Sequence, residues 1–188
     1  MQFWTSEIEK QVGARVQTVL ESPELLSLHA KFGAEVFRRS SVFHGLGRIL
    51  ADNKVRGGRC FEVGTWNCLT AVVLSKHFDE VVTVDIAHND IKHEVLRHLG
   101  ITNVRCIDIT DNDQKAKVAR KTDFDFAYLD GDHAHDTERD FELVQHCGRV
   151  LFHEVWPWQR PVWNLVHTLP AHQVKHNGQG LALWDSKR

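Results

Sequence analysis

Apolar positions along the chain change rhythm a little beyond residue 50. Before that point they recur with helical spacing: Ile8, Val12, Val16 and Val19, then Leu25, Leu28, Phe32 and Val36 after Pro23, then Val42, Phe43, Leu46, Ile49 and Leu50. Steps of three and four residues place such side chains on one helical stripe. Ser6 and Glu9 have capping-box form at the start of the first stripe. Residues 1–52 are therefore expected to form a helical extension that packs on the rest or covers it as a lid. From Arg59 onward short apolar runs alternate with amphipathic ones. Strands are predicted near 60–63, 81–85, 103–107, 124–129, 149–153, 172–176 and 180–184, and helices near 67–78, 89–99, 112–120, 134–147 and 159–168. This alternation specifies a mostly parallel sheet covered on both faces. The last two runs, within Gln173–Trp184, are joined by a Gly-containing turn with no helix between them, so they should form an antiparallel hairpin. The expectation for 53–188 is one α/β domain, a Rossmann-like three-layer sandwich with a seven-stranded, mostly parallel sheet.

The stretch Cys60-Phe-Glu-Val-Gly-Thr-Trp-Asn-Cys-Leu-Thr70 reads as a strand that turns at Gly64 into a helix. Such a turn aims free backbone N–H groups and a positive helix end at whatever lies above it. About twenty residues on, Val81-Val-Thr-Val84 ends in Asp85, the usual distance for a carboxylate that accepts hydrogen bonds from a ribose. Together these point to a nucleoside-containing cofactor. A dinucleotide fingerprint would need G-x-G-x-x-G, and only Gly64 is present; Trp66 and Cys68 stand where small residues are wanted. Ligands of a doubly wound sheet lie over the carboxyl ends of its strands. The positions to weigh are thus Gly64 to Asn67, Asp85 and Ile86, Asp108 to Thr110, Asp130 to His133, and His153 to Trp156.

Glu62-x-Gly64 resembles motif I, E-x-G-x-x-x-G, of the class I S-adenosylmethionine (SAM) methyltransferases, with Cys68 in place of the last glycine. Asp130-Gly-Asp-His133 followed by Asp140-Phe141 is similar to the D-G-D-H segment of a subfamily that includes small-molecule and sugar O-methyltransferases. Val150-Leu-Phe-His-Glu154 resembles that subfamily's strand ending in His-Asp, and Gly180-Leu-Ala-Leu with Lys187 resembles its closing strand. The resemblance spans about residues 55 to 188, and a parallel sheet finishing in a hairpin is the architecture it implies. It also implies SAM held by Glu62, Gly64, Thr65, Trp66, Asn67, Asp85, Ile86, Asp108, Ile109 and Asp130. In that reading Asp85 takes the ribose, Ile86 packs on adenine, and Asp108 with Ile109 borders the base. Asp108 could equally cap the helix that begins at Asn112.

Asp130, Asp132, His133 and Glu154 should converge at one end of the sheet if their strands are neighbours. Two catalytic schemes follow. Asp130 and Glu154 could hold Mg²⁺ or Mn²⁺, as related metal-dependent enzymes do, and lower the pKa of an acceptor hydroxyl. Alternatively, His133 could act as general base without metal. Glu154, longer than the usual Asp, tips the balance toward the second scheme; Asp132 or Asp136 could instead cap the next helix. The expected activity is methyl transfer to an oxygen of a small molecule. A SAM- or nucleotide-binding module without transfer is the alternative, and an NAD-dependent enzyme a more distant one.

Composition narrows this further. A chain of 188 residues fits a single core, and a net charge of −2 gives no overall positive field for nucleic acid or anionic membrane. The acceptor tetrapeptide and Pro-Cys signatures of DNA methyltransferases are absent, so no nucleic-acid acceptor is expected. No apolar run nears the ~20 residues of a membrane span, and Met1–Ser6 has no basic or apolar leader pattern, so a cytoplasmic location is expected. Cys60, Cys68, Cys106 and Cys147 form no C-x-x-C pair and read as reduced core residues. The thirteen histidines are scattered without zinc spacing. Trp156, Trp158 and Trp163 follow the fifth strand; they could stack on an acceptor ring, form a homo-oligomer contact or belong to a loop packed on the core.

Overall fold

Strands buried on both faces need apolar side chains at successive positions, and Val81, Val82 and Val84 are all fully buried. The computed structural model of the chain describes residues 23–37, 45–132 and 134–187. Its strands are β1 (Arg59–Val63), β2 (Glu80–Asp85), β3 (Val104–Asp108), β4 (Phe126–Leu129), β5 (Arg149–Phe152), β6 (Val174–His176) and β7 (Ala182–Asp185), in the order β3-β2-β1-β4-β5-β7-β6. Pairing is parallel from β3 through β5. β7 runs antiparallel to both β5 and β6, which is the expected terminal hairpin. The order reverses between β1 and β4, and this opens a crevice over their carboxyl ends.

The helices are α1 (Pro23–Phe32), α2 (Leu46–Asp52), α3 (Leu69–Leu74), α4 (Ile91–His98), α5 (Asn112–Arg120), α6 (Thr137–Val144) and α7 (Arg160–Thr168). Two apolar clusters sandwich the sheet. β1 sends Cys60 into the one that contains Leu28, Leu46, Leu50, Leu74, Tyr128 and Leu151. It sends Phe61 and Val63 into the other, with Val84, Phe141, Phe152, Val162 and Trp184. Each such side chain contributes roughly 1.5–3 kcal/mol through its burial. α1 and α2 place Leu28, Leu46, Ile49 and Leu50 in the first cluster, so the described part of the N-terminal extension supplies packing to the core. The first predicted stripe and Val42 and Phe43 lie outside the described residues.

Element ends depart from expectation where side chains intervene. α3 closes at Leu74, short of the expected residue 78, where the Ser75 hydroxyl donates to the Val72 carbonyl and the chain turns. The cap of α5 is Asp111, whose carboxylate accepts from the Gln114 N–H at 2.8 Å; it is not Asp108, which lies three residues too early. α6 starts at Thr137, later than expected, because Asp132 first accepts from the Ala134 N–H in a separate turn.

Candidate active site

The ends of β1, β2, β4 and β5, with the residues after β3, border a cleft of about 670 Å³. Strand register explains what meets there. Val63 lies beside Val84 and Leu129, and Leu129 beside Phe152, so Gly64, Asp85, Asp130 and His153 leave neighbouring strands together. Gly64 adopts φ +97° and lies so close to β4 that an added Cβ would collide with the Asp130 carbonyl. No other residue type fits that crossing.

At the β2 end Asp85 is held by two backbone N–H groups. One oxygen accepts from Trp66 at 2.7 Å and the other from Ala87 at 2.7 Å. Each carboxylate oxygen can accept more than one hydrogen bond, so an oriented Asp85 retains capacity toward a vicinal diol. Ile86, 72% exposed, and Ile109 line the same end as apolar surface. Trp66 and Cys68 take left-handed backbone, at φ +42° and +67°. Cys68 thus adopts, at the place of the motif's last glycine, the conformation for which glycine is usually needed, at a cost of about 1–3 kcal/mol.

Of the residues assigned to a cofactor, Gly64, Trp66, Asp85, Ile86, Ile109 and Asp130 line the cleft, whereas Glu62, Thr65, Asn67 and Asp108 do not. Thr65 and Asn67 are buried anchors of the turn. The Thr65 hydroxyl meets that of Thr83 at 2.6 Å, and the Asn67 amide donates to the Val36 carbonyl and accepts from Asn89. Glu62 lies fully buried beneath them, and neither carboxyl oxygen meets a hydrogen-bond partner among the described residues. Burial pushes its pKa well up. The Asp108 carboxylate pairs with buried Lys92 and with His88, and Lys92 above all holds it below the usual carboxylate range.

At the β4–β5 end the Asp130 carboxylate lies 2.5 Å from His153 Nδ1, and Tyr128 donates to its other oxygen at 3.4 Å. His153 is the residue that sequence reasoning missed as a chemical group, though it heads the set after β5. The missing signal was register, which makes it the side-by-side neighbour of Asp130. Glu154 turns through φ +55°, lines the cleft and accepts from the Gln159 side chain at 2.7 Å. Asp132 accepts from the Ala134 N–H, which chiefly lowers its pKa, and pairs with His135 at 3.0 Å. Asp136 makes no side-chain cap; its carboxylate accepts from Asn112. His133 lies outside the described residues.

Among the described residues no group of three or more His, Cys, Asp or Glu side chains is placed to hold a metal ion. The Asp130 carboxylate is turned to His153 and that of Glu154 to Gln159. Beneath the cleft, Lys115 of α5 pairs with buried Asp140 of α6, whose carboxyl burial raises and the lysine lowers. Beyond Glu154, Trp156 and Trp158 stack with centroids 5.0 Å apart and planes at 9°. Gly180 admits the Trp156 ring, which a Cβ there would strike, and Trp158 stays 71% exposed. Among the described residues no helix is long and apolar enough to cross a membrane.

No known family model and no curated protein matches the sequence. Solved structures do match the fold. An O-methyltransferase from Bacillus cereus, solved with S-adenosylhomocysteine (SAH), is 15% identical over 92% of this chain and 90% of its own, with a TM-score of 0.61. Cofactor-bound Rv0187 from MTB is 16% identical over 89% and 91%, with a TM-score of 0.64. An rRNA methylase from Streptococcus thermophilus is 14% identical over 77% and 93%, with a TM-score of 0.54. The chain therefore has the fold of the class I methyltransferases, and at such identities the likeness establishes that fold alone.

Proposed function

We propose that this chain is a SAM-dependent methyltransferase acting on an oxygen of a small molecule. The observation that carries this is the meeting, in one cleft, of the Gly64 turn, a backbone-anchored Asp85 and the apolar pair Ile86 and Ile109, with a carboxylate–imidazole pair two strands away. Neighbours of the same fold were solved with SAH or a bound cofactor, which supports the same reading.

In this reading Asp85 accepts from the ribose hydroxyls, Ile86 and Ile109 flank the adenine, and the Gly64 turn lets backbone approach the ligand. Bound SAM supplies a methyl group on a positively charged sulfur, which a nucleophilic oxygen can take. Asp130 keeps a proton on His153 Nδ1, which makes Nε2 the accepting nitrogen. His153 Nε2 then removes the proton of an acceptor hydroxyl, and Asp130 stabilises the resulting imidazolium. A small acceptor fits a cleft of this size and a chain with net charge −2.

Two measurements test the proposal. SAH should stabilise the protein by about 2.7 kcal/mol at a hundredfold excess over its Kd. An acceptor screen with labelled SAM should then find SAH release that depends on a hydroxyl compound. Binding without release against a broad screen would favour a non-catalytic module; binding of NADH in place of SAH would overturn the reading.

A further inference from the structure

The four cysteines read from the sequence as reduced core residues, but two of them face one another. Cys68 Sγ, at the end of the Gly64 turn, lies 3.6 Å from Cys106 Sγ on β3, although 38 residues separate them. A disulfide needs sulfurs about 2.05 Å apart, so about 1.5 Å of closure would join them, within reach of side-chain rotation and small backbone shifts. The two thiols are also unlike each other. Cys68 is fully buried, whereas Cys106 is partly exposed. The two sulfurs share a hydrogen bond and buried Lys92 lies nearby; both lower the Cys106 pKa against the opposing effect of burial, and the same hydrogen bond with burial raises that of Cys68. Cys106 is thus the more acidic and the more accessible thiol of the pair, and the thiolate is the form that attacks oxidants. The other two cysteines lack this arrangement. Cys60 is fully buried and its pKa raised, and burial pushes Cys147 to about 11.

We infer that Cys106 and Cys68 form a hydroperoxide-reactive pair, Cys106 being the thiol oxidised and Cys68 the thiol that resolves it. The Cys106 thiolate attacks the distal oxygen of the hydroperoxide, the O–O bond breaks, and an alcohol or water leaves after taking up a proton. This gives Cys106 sulfenic acid. Cys68 sulfur then attacks Cys106 sulfur, the S–O bond breaks, and water leaves with the Cys68 proton. Two thiols lose two hydrogens in all, and the hydroperoxide is reduced by two electrons. The product ties the turn that carries Gly64 to Asn67 onto the strand that ends in Asp108. A thiol reductant reverses it by exchange.

The test is graded hydrogen peroxide on the intact protein, followed by alkylation of free thiols, intact mass and peptide mapping. The expected product has lost about 2 Da and two alkylatable thiols, with one cross-linked peptide pair holding Cys68 and Cys106, restored by dithiothreitol. In Cys68→Ser the sulfenic acid should persist on Cys106 and be trapped by dimedone. Cys106→Ser should keep Cys68 alkylatable at the same dose. Peroxide that leaves both thiols free, or oxidises Cys60 or Cys147 before Cys106, would overturn the inference. So would Cys106 sulfinic acid in the unaltered protein without a Cys68 cross-link.

Discussion

The two ends of the cleft are built from different materials. At the β2 end the chemistry is mostly backbone: a glycine turn, a carboxylate fixed by two main-chain N–H groups, and apolar side chains around it. At the β4–β5 end it is side chain on side chain, with Asp130 on His153, Tyr128 on Asp130 and Gln159 on Glu154. The first kind of site orients a ligand common to many proteins of one fold. The second can be rebuilt for a different acceptor without disturbing the first.

Gly64 is the point at which the two ends meet, so its replacement should have the largest effect. A Gly64→Ala side chain would press on the Asp130 main chain at a positive φ, and we expect a loss of about 3 kcal/mol or more in urea unfolding, with SAH binding lost. Next in size is the acceptor end alone. His153→Gln should lower turnover about a hundredfold or more while SAH affinity shifts by no more than about twofold, and His133→Gln should cost much less. Turnover should persist in EDTA. Equal losses at both histidines, or full activity in His153→Gln, would shift the proton acceptor away from His153.

The smallest effect belongs to Glu62, beneath both ends. Its folded pKa is raised by burial, so the unfolded chain ionises first as pH rises. Stability tied to this group is complete below about 4.5, its unfolded value, and falls as pH climbs toward the folded value. Glu62→Gln should flatten that decline in denaturation curves from pH 4 to 8. An unchanged pH slope would mean that Glu62 is not the group responsible.

The same division explains what the sequence made legible. The alternation of strands and helices, the terminal hairpin and the strand ends marked by Gly64 and Asp85 follow from local spacing, with Gly64 after an apolar run and Asp85 after the next. Cys68 could be placed as a substitute for glycine, but its left-handed backbone could not be read from the residue type. Asp108 was expected beside the base because it ends a strand; buried Lys92, sixteen residues away, turns its carboxylate aside. His153 depends on the pairing of Leu129 with Phe152, and the facing thiols of Cys68 and Cys106 on the packing of a turn against β3. Those are contacts between distant segments, which neither periodicity nor a short motif encodes.

An adenosyl ligand at the β2 end would be held chiefly through Asp85. Calorimetric titration of SAH into the unaltered protein and into Asp85→Ala, side by side, tests it most directly. One SAH per chain and at least tenfold weaker binding in the variant are expected, because charge-assisted hydrogen bonds contribute about 1.5–3 kcal/mol each. Circular dichroism should show the variant still folded. Equal SAH affinity in the two proteins, or no SAH binding by the unaltered chain, would contradict it.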